Sequence, residues 1–337
     1  MGPGNTPRRA ATQSDVAREV GVSRTLVSFA FRGTPGVSAE TRQAIFDAAK
    51  RLGYRPNAVA ADLASKHRSA VGLYLMDIRN EIYADILSGV RTALSEGRNR
   101  LILSVSRSVD GEDRGALESL IEARVGIIIA ATLLESDEEV HEMAATVPLV
   151  SVTRRVEGVD SVYSDDAMGA RAATGHLLAL GHTRIAHLAG PAYDGHIARR
   201  RAYEETMHDA GLAHQTLQAD DFTQDSGYRA AGHLLDQTDR PSAIFTHNDQ
   251  LALGVREAAY ARGLSIPRDL SLVGYDNSRT AGLHGIDLTS VDLHAVALGQ
   301  AAGVVALERL ADPDGPRAHR RLTPQLVVRQ STAPPAG

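Results

Sequence analysis

The arrangement of apolar positions changes near residue 70 of the chain. Before that point, apolar residues recur every three or four positions in short segments, which is the spacing of one buried helix face. After it, nearly continuous apolar runs alternate with segments of helical spacing. Strands of this kind, separated by helices, are typical of parallel sheets covered on both faces. The pattern therefore predicts an all-α head joined to a larger α/β body.

The predicted body is long enough for two such sheets. Its apolar runs are bounded by Gly, Pro or charged residues, which favours strands, and they lie at 70–76, 100–106, 125–130, 147–152, 184–189, 242–246 and 270–275. The longest gap, from 189 to 242, has room for two helices and an additional strand near Gln218 to Phe222.

Two short helices are predicted at the start of the head. Thr12 can cap the first helix, and Gly21 permits the tight turn that ends it. Ser23 can cap the second helix, whose apolar residues fall on one side of a helical wheel. The opposite side carries mainly polar residues, namely Arg24, Thr25, Ser28 and Arg32, with Phe29 placed laterally. Two helices joined by so short a turn are typical of a helix-turn-helix, whose second helix enters the major groove of DNA.

A third helix is predicted from the cap at Ser38 to Gly53, which completes a minimal DNA-binding domain. The alanine-rich segment that follows, AVAADLAS, is compatible with a short helix that is marginal by itself. It is equally compatible with a linker.

Charge divides the chain at the same place. Residues 1–68 contain 11 Lys and Arg against 5 Asp and Glu, a net charge of +6, whereas the remainder contains 25 against 36, a net charge of −11. A basic head on an acidic body suits a polyanion-binding module. Basic tails also occur on ordinary enzymes, so the charge alone does not decide between these interpretations.

The chain contains no cysteine, which excludes disulfides and thiolate chemistry. Its first residues lack the apolar segment of a signal peptide, and no window approaches the roughly 18 apolar residues of a membrane span. We therefore expect a cytoplasmic protein that neither is secreted nor spans a membrane.

Polar residues follow the ends of the predicted strands, where open parallel sheets bind their ligands. Asp, Asn and Arg side chains beside an aromatic ring can satisfy the paired hydroxyls of a polyol. For any single residue, capping of the next helix is an equally good explanation. The candidates for ligand contact are Asn80, Tyr83, Arg107, Arg154, His196, Arg199, Asn248 and Asp276.

Motifs of common enzymes do not occur in the sequence. The 13 histidines are scattered without an HExxH spacing, no GxGxxG follows a strand, and there is neither a Walker A nor a GxSxG motif. We expect no metal and no cofactor. A free-standing solute-binding protein of periplasmic type is an alternative, but it would need a signal peptide and would have no use for residues 12–65. A sugar hydrolase or kinase would be detected by a turnover assay with pentoses and hexoses.

The sequence of the head, TQSDVAREVGVSRTLVSFAFRGTPGVSAETRQAIFDAAKRLGYRPNAVAADLAS at residues 12–65, resembles the DNA-binding head of the LacI/GalR family of repressors. The resemblance implies that residues 57–64 are a hinge helix whose Leu63 wedges into the minor groove and kinks the DNA. Phe29 stands where many members carry a base-reading Arg, and contact with a thymine methyl is one possibility there. The DNA contacts that we predict are Thr12, Ser23, Arg24, Thr25, Ser28, Phe29, Arg32, Asn57, Ala60 and Leu63.

The resemblance continues through the body and covers about residues 12–332. The segments VYSDDAMGARAATGHLLALGHTRIAHLAG, FTHNDQLALGVREAAYARGLSIPRDLSLVGYDN, LTSVD and LVVRQST are similar to sensor-domain blocks of this family, whose fold resembles that of periplasmic sugar-binding proteins. The family resemblance adds Asp165 to the candidate effector contacts. His196 stands where Ser is frequent, and Ala202 stands where Gly is frequent. The family resemblance therefore does not fix the identity of the effector.

The expected fold class is multidomain, with an all-α helix-turn-helix head and an α/β, two-lobed sensor domain of the type I periplasmic-binding-protein kind. We divide the chain into a DNA-binding domain at 1–56, a hinge helix and linker at 57–68, an N-subdomain at 69–163 and 292–320, a C-subdomain at 164–291 and 321–332, and a tail at 333–337.

The expected function is sequence-specific transcriptional regulation, most simply repression, controlled by a small molecule bound between the two lobes. A sugar or sugar derivative is the expected effector. The expected partners are a pseudo-palindromic double-stranded DNA operator and a second copy of the chain, with a tetramer as an alternative. Whether the effector releases DNA or strengthens its binding is left open.

Overall fold

The computed structural model describes residues 11–55, 70–95, 97, 99–106, 115–191 and 197–336. These residues fall into two units, the head up to residue 55 and the body from residue 70 onward. Each unit is treated by itself.

The head consists of helices α1 (Gln13–Val20), α2 (Arg24–Arg32) and α3 (Ala39–Leu52). Thr12, Ser23 and Ser38 cap them in turn, because each side chain accepts a hydrogen bond from a backbone N–H of the first helical turn. Gly21 has a φ of 73°, as the turn between the first two helices requires. The predicted helix-turn-helix is thereby confirmed. Its core consists of Val16, Ala17, Val27, Ala30, Ile45, Ala48 and Ala49.

The body has two lobes, each built on a six-stranded sheet. The N-lobe sheet has the order β11-β5-β4-β3-β1-β2, and its strands are all parallel. They are β1 (Ala70–Leu75), β2 (Arg100–Val105), β3 (Ile127–Ala131), β4 (Leu149–Val152), β5 (Asp160–Ser164) and β11 (His319–Leu322). The helices of this lobe are α4 (Glu81–Leu94), α5 (Gly115–Glu122), α6 (Asp137–Thr146) and α11 (Ala295–Ala311).

The C-lobe repeats this plan with the order β12-β10-β9-β8-β6-β7. Its strands are β6 (Ile185–Ala189), β7 (Gln215–Gln218), β8 (Ala243–Thr246), β9 (Ser271–Tyr275), β10 (Thr289–Asp292) and β12 (Gln325–Val327). Only β12 runs antiparallel to its neighbour. The helices are α7 (Asp166–Ala179), α8 (Ile197–Asp209), α9 (Gln224–Leu235) and α10 (Asp249–Ala261). The predicted α/β body with two sheets is confirmed.

The structure differs from the sequence prediction in detail. The additional strand occupies Gln215–Gln218 and not 218–222, because Thr223 caps α9 and the chain has to turn before it. β5, β10, β11 and β12 are short and carry polar residues, so they form no apolar run. The chain passes between the lobes near residues 165, 293 and 323.

Two helices of the N-lobe, α4 and α11, touch backbone to backbone. A Cβ at Gly89 would lie 2.0 Å from the carbonyl oxygen of Val296, and a Cβ at Gly299 would lie 2.1 Å from that of Ile86. Any larger side chain at either glycine would separate the helices. α11 begins after His294, which has a left-handed φ of 62°.

Across the part of the chain that the structure describes, no helix has both the length and the apolar character needed to cross a membrane.

Candidate functional site

The second helix of the head carries most of the predicted DNA contacts that the structure describes. Val27 and Ala30 are buried on the core side of α2. Arg24 and Thr25 are exposed on the other side, and Ser28 and Phe29 are half-buried. This helix therefore presents a cation and a hydroxyl to solvent.

The two capping residues of the head already have structural partners. The Thr12 hydroxyl donates to the carboxylate of Asp15 at 2.6 Å, and the Ser23 hydroxyl accepts from the N–H of Leu26 at 3.1 Å. Both fix the start of a helix. A contact with DNA would be additional to this role.

Several predicted site residues cannot be placed. Asn57, Ala60, Leu63, Arg107 and His196 lie outside the described residues, as does the side chain of Arg32.

A cavity of about 40 Å³ lies between the lobes of the body, at the carboxyl ends of the strands of both sheets. It contains space for the equivalent of about three water molecules. Its lining includes five of the predicted ligand contacts, Asn80, Tyr83, Arg199, Asn248 and Asp276, together with Met76, Ile82, Thr132, Thr153, Asp166, Phe222 and His247.

Arg199 is the cation in the lining of this cavity among the described residues. Its guanidinium donates to Asp166 Oδ1 at 3.2 Å and to the carbonyl oxygen of His247, and Cζ lies 3.6 Å from the ring centroid of Tyr275. Burial opposes its charge, but Asp166, Tyr275 and Asp276 outweigh this and raise the pKa of Arg199. Its Nε is buried and has no hydrogen-bond partner within the described residues, so a donor is left for a ligand.

Asp276 faces the cavity from the end of β9 and is 8% exposed. One of its carboxylate oxygens accepts from Nδ2 of Asn80, across the cleft, at 3.4 Å. Burial raises the pKa of Asp276 to about 8, because the attraction of Arg199 is offset by Asp249 and Asp166. At neutral pH this group is therefore largely a carboxylic acid, able both to donate and to accept hydrogen bonds.

Buried polar contacts behind the lining hold the C-lobe part of the site in place. Asp249 accepts from the hydroxyl of Ser290 at 2.7 Å and from the N–H of Ser278 at 2.8 Å, and burial raises its pKa to about 6. Asn248 caps α10 and donates from Nδ2 to the carbonyl oxygen of Phe222 at 3.2 Å. These contacts orient the lining residues before a ligand arrives.

The N-lobe side of the cavity is neutral and strained. Thr132 and Thr153 follow β3 and β4, and their hydroxyl oxygens are 3.1 Å apart. Their φ angles are 64° and 80°, a region that β-branched residues rarely adopt. Each such residue costs about 1–3 kcal/mol, and such strain is concentrated at functional sites.

Two predicted ligand contacts lie beside the cavity without lining it. Arg154 is buried in the N-lobe, where it donates to the carbonyl oxygens of Leu133 and Glu135 and to the carboxylate of Asp137. Asp165 caps α7 and pairs with Arg321 at 3.2 Å. In each case the adjacent residue, Thr153 or Asp166, lines the cavity instead.

Other lining residues were missed from the sequence. Thr132 directly follows β3 and lies two residues after the third apolar run, so the rule about strand ends would have found it. Phe222 precedes the cap of α9, and no strand end points to it. Its ring centroid is 5.1 Å from that of His247.

Four residues connect the lobes at the mouth of the cleft, and we name them the interlobe clasp: Glu81 and Asp85 of α4, and Arg279 and Thr280 of the C-lobe. Thr280 donates from its N–H to Glu81 Oε2 at 3.1 Å and from its hydroxyl to Oε1, and Arg279 pairs with Asp85 at 2.9 Å. Partial burial works against the charge of Glu81, but the bonds from Thr280 lower its pKa.

The cavity has the donors and acceptors of a polyol site. Arg199 offers N–H groups, Asp276 and the Asn side chains can accept as well as donate, and Phe222 supplies an apolar face. Among the described residues, no cluster of His, Asp and Glu is arranged to hold a metal ion.

Comparison with known protein families gives one match in the head and one in the body. Residues 12–57 match the family of bacterial regulatory proteins, lacI family, and residues 174–332 match a periplasmic binding protein-like domain.

Individual relatives span most of the chain. Catabolite control protein A of Priestia megaterium is 34% identical over 296 residues, which cover 84% of this chain and 89% of that protein. The lac repressor dimer bound to operator and the anti-inducer ONPF is 27% identical with a TM-score of 0.84, covering 96% of this chain and 100% of that one. The complex of the transcriptional regulator CelR with cellobiose is 30% identical with a TM-score of 0.71, covering 95% and 99%.

Proposed function

Because the chain belongs to the lacI family of bacterial regulatory proteins, we propose that it is a transcriptional repressor whose hold on a DNA operator is controlled by a neutral sugar or sugar derivative. The effector binds between the lobes of the body. The head supplies the operator contacts, and its place in the family favours this function over that of a free-standing solute-binding protein.

The observation that carries the effector proposal is that Arg199 and Asp276 both line the same buried cavity. A sugar hydroxyl can accept a hydrogen bond from Arg199 and donate one to Asp276. Arg199 is already balanced by Asp166, so the site offers little net attraction to a phosphate group. A neutral polyol therefore fits better than a sugar phosphate. The relative named CelR has been solved with such a ligand, cellobiose.

The operator proposal rests on α2. Arg24, Thr25, Ser28 and Phe29 would meet base edges and phosphates of the major groove, with Arg32 and the two caps nearby. The contacts predicted at Asn57, Ala60 and Leu63 would lie in the minor groove. A homodimer would read a pseudo-palindromic site, as expected from the relative that is described as a dimer on its operator. Because DNA is the partner, we assign the protein to the cytoplasm.

Control requires two states of the cleft that differ in operator affinity. The interlobe clasp contributes to the closed state, and an effector that contacts both Asn80 and Asp276 would add to it. Coupling between effector and operator of about 1–3 kcal/mol would change operator affinity by roughly 5- to 150-fold.

The DNA part of the proposal is tested with duplexes selected by the full-length protein from a random pool. Fluorescence anisotropy should give a salt-sensitive affinity for the selected duplex that exceeds the affinity for a scrambled duplex. Arg24→Ala should weaken that affinity by about tenfold or more, whereas Arg91→Ala, an exposed Arg of α4, serves as the matched control. Equal affinity for selected and scrambled duplexes would contradict the proposal.

The effector part is tested by thermal unfolding of the protein in the presence of neutral mono- and disaccharides. A sugar that binds the folded state raises the melting temperature by mass action, and it should change the anisotropy signal with the selected duplex. If none of these sugars has either effect, the proposed effector class is wrong.

A further inference from the structure

The N-lobe contains a cavity of its own, which lies between α5 and α6 and has a volume of about 160 Å³. We name it the N-lobe cavity. Its lining shares no residue with the lining of the cavity between the lobes. A cavity of roughly 150 Å³ can hold a benzene-sized group, so the N-lobe cavity has room for a small organic ligand.

The lining of the N-lobe cavity combines apolar side chains with carboxylates. Leu117 is buried, and Ile121 and Met143 are half-buried. The carboxylates are those of Glu118, Glu135, Glu139 and Glu142. The described lining contains no Lys, Arg or His. Charges of one sign around a concave apolar surface attract a ligand of the opposite sign, so the expected ligand is a cation with an apolar body.

Glu135 forms the inner end of the N-lobe cavity. It is 9% exposed, and its Oε2 is buried without a hydrogen-bond partner among the described residues. Its backbone is held in place, because its carbonyl oxygen accepts from Nη1 of the buried Arg154 at 2.8 Å. A buried carboxylate oxygen without a donor is costly and uncommon in native proteins. A donor that enters the cavity would satisfy it.

The exposed residues Glu118 and Glu142 form the outer end. Neither carboxylate has a hydrogen bond or an ion pair with any described residue. Glu139 has a structural role instead, since it accepts from the N–H of Ser136 at 2.9 Å in the capping box of α6. Negative charge thus lies at both ends of a path with an apolar middle. These carboxylates are not gathered around one point as a metal ion would require.

From these observations we propose that the N-lobe cavity binds a linear aliphatic diamine. One ammonium group donates to the buried carboxylate of Glu135. The methylene chain packs against Leu117 and Ile121. The second ammonium group pairs with Glu118 and Glu142 at the exposed end. The protein would then recognise two classes of small molecule at separate places, since this site does not depend on the ligand of the cleft.

The experiment is isothermal titration of the full-length protein at low ionic strength with cadaverine, a linear diamine. We expect saturable binding of one cadaverine per chain. Pentylamine, which lacks the second ammonium group, should bind about threefold more weakly. Pentanediol, which has the same chain without charge, should bind at least about tenfold more weakly. Failure of cadaverine to bind, equal affinity for all three compounds, or displacement of cadaverine by stoichiometric Mg²⁺ would overturn the inference.

Substitutions then locate the site. Glu135→Gln keeps the shape of the side chain and removes its charge, so cadaverine should bind about tenfold or more weakly. Glu118→Gln changes an exposed side chain on which folding does not depend. It should weaken cadaverine binding by about threefold and pentylamine binding by less than about twofold.

Glu138→Gln is the matched control, because Glu138 is an exposed residue of α6 that does not line the N-lobe cavity. It removes the same unit of charge and should change cadaverine affinity by less than about twofold. Equal losses for Glu135→Gln and Glu138→Gln would mean that cadaverine is attracted only by the overall negative charge of the body, and the inference would be wrong.

Discussion

The two lobes of the body have the same strand order but contribute different chemistry to the cleft between them. Counterpart strands occupy the same places in both sheets, so that β4 corresponds to β9 and β5 to β10. Within the lining of the cavity between the lobes, every carboxyl and guanidinium side chain that the structure describes belongs to the C-lobe, namely those of Asp166, Arg199 and Asp276. The N-lobe contributes apolar and neutral polar groups.

The clearest case is the residue that follows β4 in one lobe and β9 in the other. Both are left-handed, with a φ of 80° at Thr153 and 105° at Asp276. Both donate their N–H to the next strand, to Val162 at 3.0 Å and to Val291 at 2.8 Å. The same backbone geometry thus presents a hydroxyl in one lobe and a carboxyl group in the other. For the proposed effector, the comparison favours anchoring by the C-lobe and closure by the N-lobe.

The largest effect should come from removing the C-lobe cation. Arg199→Ala removes the ion-pair partner of the half-buried Asp166, which keeps only the hydrogen bond from the Tyr275 hydroxyl at 2.8 Å, and we expect the free energy of unfolding to fall by about 3 kcal/mol, with loss of effector binding. Urea unfolding and titration calorimetry measure the two effects. Arg154→Ala is the N-lobe counterpart, because Arg154 is equally buried but bonds to carbonyl oxygens away from the cavity. It should destabilise the protein and leave effector affinity within about twofold. An Arg199→Ala protein that still binds effector normally would contradict anchoring of the effector by the C-lobe.

The next effect is a pH dependence that belongs to Asp276. Its pKa is raised to about 8 in the folded protein, whereas an unfolded Asp titrates near 3.9. The folded state therefore binds the Asp276 proton more tightly than the unfolded state does. The free energy of unfolding that this contributes is fully present below about pH 4. It is lost at up to about 1.4 kcal/mol per pH unit as the pH rises towards 8.

Asp276→Asn cannot ionise, so its unfolding free energy should lack this loss. The stability of the unsubstituted protein should fall relative to the variant by about 3 kcal/mol between pH 5 and pH 8, measured by urea unfolding. Asp249 titrates in both proteins, and its Coulombic coupling to Asp276 is part of the difference that is measured. Parallel stability curves would show that Asp276 titrates normally.

A smaller effect is expected at the interlobe clasp. Thr280→Val removes the hydroxyl that donates to Glu81 and retains the backbone bond. The closed cleft should lose about 1 kcal/mol, and effector affinity should fall roughly fivefold. Arg279→Ala removes an ion pair whose Arg is 77% exposed, so its effect should stay within about twofold. Titration calorimetry measures the effector affinity of both variants. A larger loss for Arg279→Ala than for Thr280→Val would mean that the ion pair with Asp85, and not the Thr280 contact, stabilises the closed cleft.

The smallest effect is expected in the N-lobe. Thr153→Ser keeps the hydroxyl that contacts Thr132, so unfolding free energy should change by less than about 0.5 kcal/mol and effector affinity by less than about twofold. Asp276→Glu is an equally conservative change at the corresponding C-lobe position, yet it adds a methylene to the lining of a cavity of only about 40 Å³. Titration of both variants with effector should show a marked loss of affinity for Asp276→Glu alone. If both substitutions left effector affinity unchanged, the proposed difference in effector binding between the two lobes would be wrong.

The fold was largely predictable because its central strands are continuously apolar. β1, β3 and β9 are buried along their whole length, and this leaves a clear run in the sequence. β5 and β10 are also buried, but they carry hydrogen-bonded residues such as Ser161 and Ser290, so polar letters interrupt the pattern. Long-range pairing, which the sequence does not display, decides that these segments are strands.

Strand ends indicated Asn80, Arg199, Asn248 and Asp276, all of which line the candidate cavity. Their contact with a ligand stays a prediction. The direction of each side chain was not predictable, since it depends on local backbone angles. At the end of β4, the left-handed φ of Thr153 sends that residue into the cavity and Arg154 into the N-lobe core.

The contact between α4 and α11 limits how the sensor can move. With glycine at 89 and 299 the two helices have no clearance, so neither can slide along the other without displacing backbone atoms. α4 starts at Glu81 and is capped by Asn80, so a ligand that displaces Asn80 would move α4 and α11 together. A change in the angle between the lobes would then take place in the short connections between them. His294, which precedes α11 and has a left-handed φ of 62°, lies in one of these connections and is a candidate hinge residue.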